Sequence, residues 1–114
     1  MRTAVFLKFD KTTSQDLSAA ALSYTTAFAR AFKLEQIAFH FSVAVTETIT
    51  ITLMSNNGTN YNTVLNSTAL ISETDFVWRP QGEANFQKGD EIKVQCTAAS
   101  LTGIVYVSIK SSEM

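Results

Sequence analysis

Apolar and polar residues alternate most regularly between Leu34 and Leu53. Ile37, Phe39, Phe41, Val43 and Val45 occupy every second position, and Thr46-Glu47 interrupts the pattern. Ile49, Ile51 and Leu53 then resume it, with Thr48, Thr50 and Thr52 between them. A period of two puts successive side chains on opposite faces of a strand, one face apolar and the other rich in hydroxyls. Branching at Cβ suits both kinds of position to a pleated surface. The run predicts two long strands and holds no catalytic machinery.

The same reading extends along the chain. Thr3 to Phe9 predicts a first strand, with Val5, Leu7 and Phe9 on one face and Phe6 on the other; Asp10 to Asp16 reads as a polar connection. Leu17 to Phe32 fits two patterns. As a helix it aligns Leu17, Ala21, Tyr24, Phe28 and Phe32, with Asp16 as a cap. As strands it alternates Leu22, Tyr24, Phe28 and Phe32. Its alanines favour the helix, but Tyr24-Thr25-Thr26 is poor helix material and no Gly or Pro stops it before the next strand. Strands are the favoured reading.

Asn57-Gly58 predicts a tight hairpin turn, with Tyr61 to Leu65 returning as a strand. Thr74 to Arg79 is a further strand, placing Phe76 and Trp78 on one face and ending at Pro80. Gln81 to Gln87 reads as a short extended piece carrying Phe86. Lys88-Gly89-Asp90 is a turn in which Gly89 takes positive φ and Asp90 accepts backbone hydrogen bonds. Glu91 to Thr97 directs Ile92, Val94 and Cys96 inward. Ile104 to Lys110 directs Val105, Val107 and Ile109 one way, Ile104 and Tyr106 the other. About eight short strands and no convincing helix predict an all-β fold, an antiparallel two-sheet β-sandwich of jelly-roll-like form.

A chain of 114 residues, 46% hydrophobic, corresponds to one domain over 1–114 that needs no staples to form a core. Charged residues are only 17%, and fifteen Thr carry much of the polar surface. The net charge is −1 and the basic residues are scattered singly, so no nucleic-acid footprint is encoded. The single Cys96 excludes an internal disulfide and fits a reduced compartment. No run has the length of a signal-peptide core or a membrane span, so no membrane partner is expected. The sequons at Asn57 and Asn66 are read as chance products of an Asn- and Thr-rich stretch.

Chemistry is sparse. His40, the one histidine, lies on the polar face of the longest strand and reads as a surface or interface residue. It cannot build a two-His metal site, and no ligand spacing for zinc or calcium is present. GxSxG is absent. Of the close acid pairs, Glu73 with Asp75 sits at a strand entrance, and Asp90 with Glu91 belongs to a Gly-Asp turn. No catalytic residue, metal or cofactor is expected, and an enzyme is not indicated. Exposed aromatics such as Tyr61 and Trp78 suit stacking on sugars, although alternation with Phe76 also fits Trp78 to an apolar face.

Residues 33–110 resemble small structural proteins of tailed bacteriophages. The resemblance lies in Lys33-Leu34-Glu35-Gln36-Ile37, the run TETITITL, and Asn57-Gly58 followed by Tyr61-Asn62-Thr63-Val64-Leu65. It continues in Thr74-Asp75-Phe76-Val77-Trp78-Arg79-Pro80 and in Phe86 to Val94 with Lys88-Gly89-Asp90 at its centre. It implies a non-enzymatic virion β-sandwich, a capsid decoration or cement protein or a head–tail accessory protein, assembled in the host cytoplasm. The implied partner is the major capsid protein or another virion protein, with self-association as a homo-oligomer. Residues 1–32 are an arm or extra hairpin used for attachment on this reading. Phe6, Ile104 and Tyr106 are the candidate interface, because each adds apolar character to a strand face turned away from the core. The alternative is a carbohydrate-binding, lectin-like sandwich with Tyr61 and Trp78 as its platform.

Overall fold

The computed structural model describes residues 8–82, 84–99 and 102–113. Nine strands run through them: β1 (Lys8–Asp16), β2 (Leu22–Ala27), β3 (Phe32–Val45), β4 (Thr48–Met54), β5 (Thr63–Ala69), β6 (Glu73–Trp78), β7 (Asn85–Phe86), β8 (Glu91–Cys96) and β9 (Ile104–Glu113). The front sheet has the order β1-β9-β3-β6, with β7 also paired to β3; the back sheet has the order β2-β8-β4-β5. Every pairing is antiparallel. Setting the two-residue β7 aside, the pairs nest: β4 with β5, β3 with β6, β2 with β8, β1 with β9. Nesting of this kind, wrapped over two sheets, is a jelly roll.

The core lies between the sheets and follows from alternation. Ile37, Phe39 and Phe41 of β3, with Val105, Val107 and Ile109 of β9, meet Ile49 and Ile51 of β4 and Ile92, Val94 and Cys96 of β8, all buried. Leu53 is only partly buried, at the end of the layer. Phe28 and Phe32 stack with centroids 4.0 Å apart, and Phe86 reaches Phe32 at 5.4 Å. Burial raises the Cys96 thiol to about 12, reinforced by the nearby Glu47 charge. It is inert as a nucleophile.

Several sequence expectations change. The expected connection at Asp10–Asp16 is the body of β1, paired to β9 from Lys8↔Ser112 to Asp16↔Ile104. An edge strand whose side chains all remain at least partly exposed needs no apolar period, so its pattern is invisible. Thr3 to Leu7 lie outside the described residues. Leu17–Phe32 contains strand β2, as favoured, and the helical piece among the described residues is a 3-10 turn, η1 (Thr59–Tyr61). The Asn57-Gly58 turn is a longer loop instead of a two-residue hairpin: Gly58 accepts from the Tyr61 amide, and the Asn62 carboxamide accepts from Ser55 N–H at 2.7 Å.

Val43 also departs from its expected place, being 42% exposed. Its place coincides with a slip in the pairing of β3 to β6 between His40 and Val45. β3 has passed its last β9 partner, Val105, by this point. Val43 packs instead over Gly103, where an added Cβ would lie 2.6 Å from its Cγ2.

The turn at residues 88–90 is as expected. Gly89 has φ +96°, and Asp90, buried, accepts the N–H groups of Asn56 (2.8 Å) and Gln87 (3.1 Å). A second buried acid went unread in the sequence: Glu47 accepts from the Thr97 hydroxyl at 2.7 Å and the Ala99 amide at 2.9 Å, pinning the β3–β4 corner to the end of β8.

Candidate functional site

With Val105, Val107 and Ile109 turned inward, β9 must present Ile104, Tyr106, Ser108 and Lys110 on the outer side of the front sheet. The register sets Tyr106 beside His40 of β3 and Ser14 of β1, and Ser108 beside Ala38 and Thr12. One strand further, Ala38 faces Val77 and His40 faces Asp75. Tyr106 is 47% exposed and Val77 48%, and between them Ala38 is too small to fill the space. A shallow groove of about 270 Å³ results, with Thr12, Ser108, His40 and Asp75 on its borders.

The polar groups of this face are largely tied down. His40 Nδ1 lies 2.7 Å from Asp75 Oδ1, and its ring stacks on Tyr106 with centroids 6.3 Å apart. The hydrogen bond from His40, and a second from the Thr74 hydroxyl, hold the Asp75 carboxyl below the usual carboxylate range. Lys110 and Asp10 pair at 3.6 Å toward one end of the patch. Its centre presents an aromatic ring, a Val and an Ala with no Lys or Arg among them.

Of the expected interface residues, Tyr106 stands in this patch. Ile104 is half-buried at its margin, its amide donating to Ser42 Oγ at 2.8 Å. Phe6 lies outside the described residues. Val77, Ala38 and the His40–Asp75 pair were not foreseen, since strand register joins residues 35 apart and no local motif marks it. Among the described residues no three His, Cys, Asp or Glu side chains gather where they would hold a metal ion.

The expected sugar platform is divided. Tyr61 projects from η1, 63% exposed, while Trp78 is partly buried and packs against the core. Trp78 lines a different feature, a cleft of about 690 Å³ where the edge strands β5 and β6 part. Leu65 and Asn66 of β5 line it on one side and Arg79, Gln81 and Asn85, from the β6–β7 connection and β7, on the other, with Phe86 also among its lining residues.

These features define the class of the molecule as an antiparallel jelly-roll β-sandwich. No protein-family model matches the sequence, and no curated protein matches it significantly. Among solved structures, the Drosophila NLP core, described as providing insight into pentamer formation and histone binding, superposes with a TM-score of 0.49 at 11% identity. That overlap covers 91% of this chain and 95% of the other. The structure of infectious bursal disease virus, Gx strain, gives a TM-score of 0.37 at 10% identity over 95% of this chain and 37% of the viral one. This chain thus spans little more than a third of that viral chain. At such values neither likeness bears on what this protein binds or does.

Proposed function

We propose that the protein is a non-enzymatic structural component of a tailed-phage virion, a decoration, cement or head–tail accessory protein. On this reading it attaches in many copies to the major capsid protein or a neighbouring lattice protein. The observation that carries the reading is the outer face of the front sheet. Tyr106 and Val77 are half-exposed around Ala38, and the neighbouring polar side chains bond one another. Apolar and aromatic groups whose flanking carboxylate, Asp75, is already hydrogen-bonded to His40 suit the centre of a protein interface. The jelly-roll frame and the resemblance of residues 33–110 to phage structural proteins support the same reading, although such a frame serves many functions.

The test is co-sedimentation with particles of the phage whose genome carries the gene, alongside particles lacking the protein. Decorated particles should pellet the protein in fixed stoichiometry and resist heating better than bare ones. A protein left in the supernatant, with particle stability unaltered, ends the proposal.

A further inference from the structure

We propose that the protein self-associates through β6. Two copies pair this strand antiparallel about a two-fold axis at Val77 and join their front sheets into one. β6 closes the front sheet on the side away from β1, and among the described residues no strand lies on its outer edge. Such an edge is a template for a further strand. The opposite edge is guarded. There β1 turns Lys11 back toward the core, its Nζ 5.8 Å from the Phe28 ring centroid, and inward charge of this kind discourages strand addition. β6 carries no Lys, Gly or Pro from Glu73 to Trp78.

The register follows from the residues of the strand itself. Asp75 and Val77 stand beside His40 and Ala38 on the outer face, and Arg79 continues the row, bonded to Gln36 at 2.8 Å. In a two-fold antiparallel pair, residue i of one copy faces j of the other, and j faces i. An axis at Thr74 sets Glu73 against Asp75, and an axis at Asp75 sets that carboxylate against its own copy. Like charges so placed repel. An axis at Phe76 puts Asp75 against the apolar Val77. At Val77 the strand becomes self-complementary: Asp75 of each copy faces Arg79 of the other, and Phe76 faces Trp78. The two Val77 side chains, each 48% exposed in the single chain, then cover one another. Asp75 already accepts from His40 and Thr74, but each carboxylate oxygen can accept a second bond. The guanidinium likewise carries more N–H donors than the one bonded to Gln36. This inference does not rest on the virion reading, although it sets the Tyr106 faces of two copies side by side.

Sedimentation velocity over a concentration series tests it on the protein alone. The wild type should pass from monomer to dimer as concentration rises. Asp75→Arg and Arg79→Asp each oppose like charges on both sides of the axis, and each should weaken the dimer roughly tenfold or more. Both positions are exposed, so folding survives the changes. An equimolar mixture of the two variants should restore the dimer, since each supplies the charges that the other lacks. The double variant Asp75→Arg with Arg79→Asp, which rebuilds both pairs, should associate as the wild type does. A wild type that stays monomeric throughout overturns the proposal. So does a dimer indifferent to both single reversals, or one that neither the mixture nor the double variant restores.

Discussion

The two outer faces of the sandwich solve the same problem differently. On the back sheet, Thr50 stands opposite Gln95 and Ser67, and Thr52 opposite Lys93 and Val64. Threonine satisfies the strand's preference for branching at Cβ while its hydroxyl stays hydrated. Val64 is the large apolar exception there, and one exposed side chain is ordinary on any surface. On the front sheet Ala38 and Val77 stand directly opposite each other, and Tyr106, opposite His40, lies diagonally across from Ala38. Strand propensity accounts for the threonines of the first face, whereas the second exposes a cluster of apolar and aromatic side chains that propensity alone does not require.

The largest perturbation removes both faces at once. Phe41 is almost fully enclosed between the sheets, and truncating such a side chain costs about 3–5 kcal/mol, a large share of a small domain's stability. Phe41→Ala should therefore lose its cooperative thermal transition or melt far below the wild type. An unchanged Tm would mean that the core has been assigned wrongly.

Gly89→Val strains the molecule while leaving both faces chemically intact. Its φ of +96° disfavours any branched residue, and an added Cβ would meet the Asn56 side chain at 2.7 Å. Backbone strain of this kind costs about 1–3 kcal/mol, so denaturant titration should show a lowered midpoint with particle binding retained at low temperature. Wild-type stability in this variant would be inconsistent with the loop packing at Asn56.

Tyr106→Asp addresses the comparison itself. A charge at an interface centre should weaken particle attachment by about 2 kcal/mol, or roughly 30-fold, with little change in Tm. Thr50→Asp on the back sheet should do neither. Equal losses from the two substitutions would erase the distinction between the faces.

The smallest effect is a gain. Ser111 is buried between Phe9 and Leu34, and its hydroxyl has no hydrogen-bond partner among the described residues. Ser111→Ala removes that unmet group and should add about 1 kcal/mol, raising Tm by roughly 4 °C. A lower Tm would point to a buried water that satisfies the hydroxyl.

Legibility of the sequence followed burial. β8 and β9 announce themselves because each has one face in the core and the other near solvent, so period two is written in their residues. β1 is silent: its side chains Asp10 to Asp16 all reach solvent to some degree, and the strand exists through its backbone pairing to β9. Val43 misleads where the pairing of β3 to β6 slips between His40 and Val45, a shift that no local pattern records. Tyr106 could be singled out from its own strand, as an aromatic on the side that the core does not use. Its neighbours Val77 and Ala38 could not, since inter-strand register is a property of the assembled sheet. The cleft was hidden for a similar reason. It arises where two edge strands part, and Trp78 alone hinted at it.

Nested pairing also implies an order in time. β4 and β5 are separated by a short loop, whereas Lys8 and Ser112 meet across nearly the whole chain. Loop-closure entropy rises with the length enclosed, but each inner pair, once formed, shortens the gap that the next must close. The roll should therefore wind outward from the β4–β5 hairpin, with β1 settling on β9 last, and such non-local pairing is slow. Pulsed hydrogen exchange during refolding should protect β4 and β5 amides before those of β1; simultaneous protection would indicate concerted folding instead. During synthesis the asymmetry is starker. β9 lies between β1 and β3, so a nascent chain has no complete front sheet, and no Tyr106 on its outer face, until its ninth strand has left the ribosome.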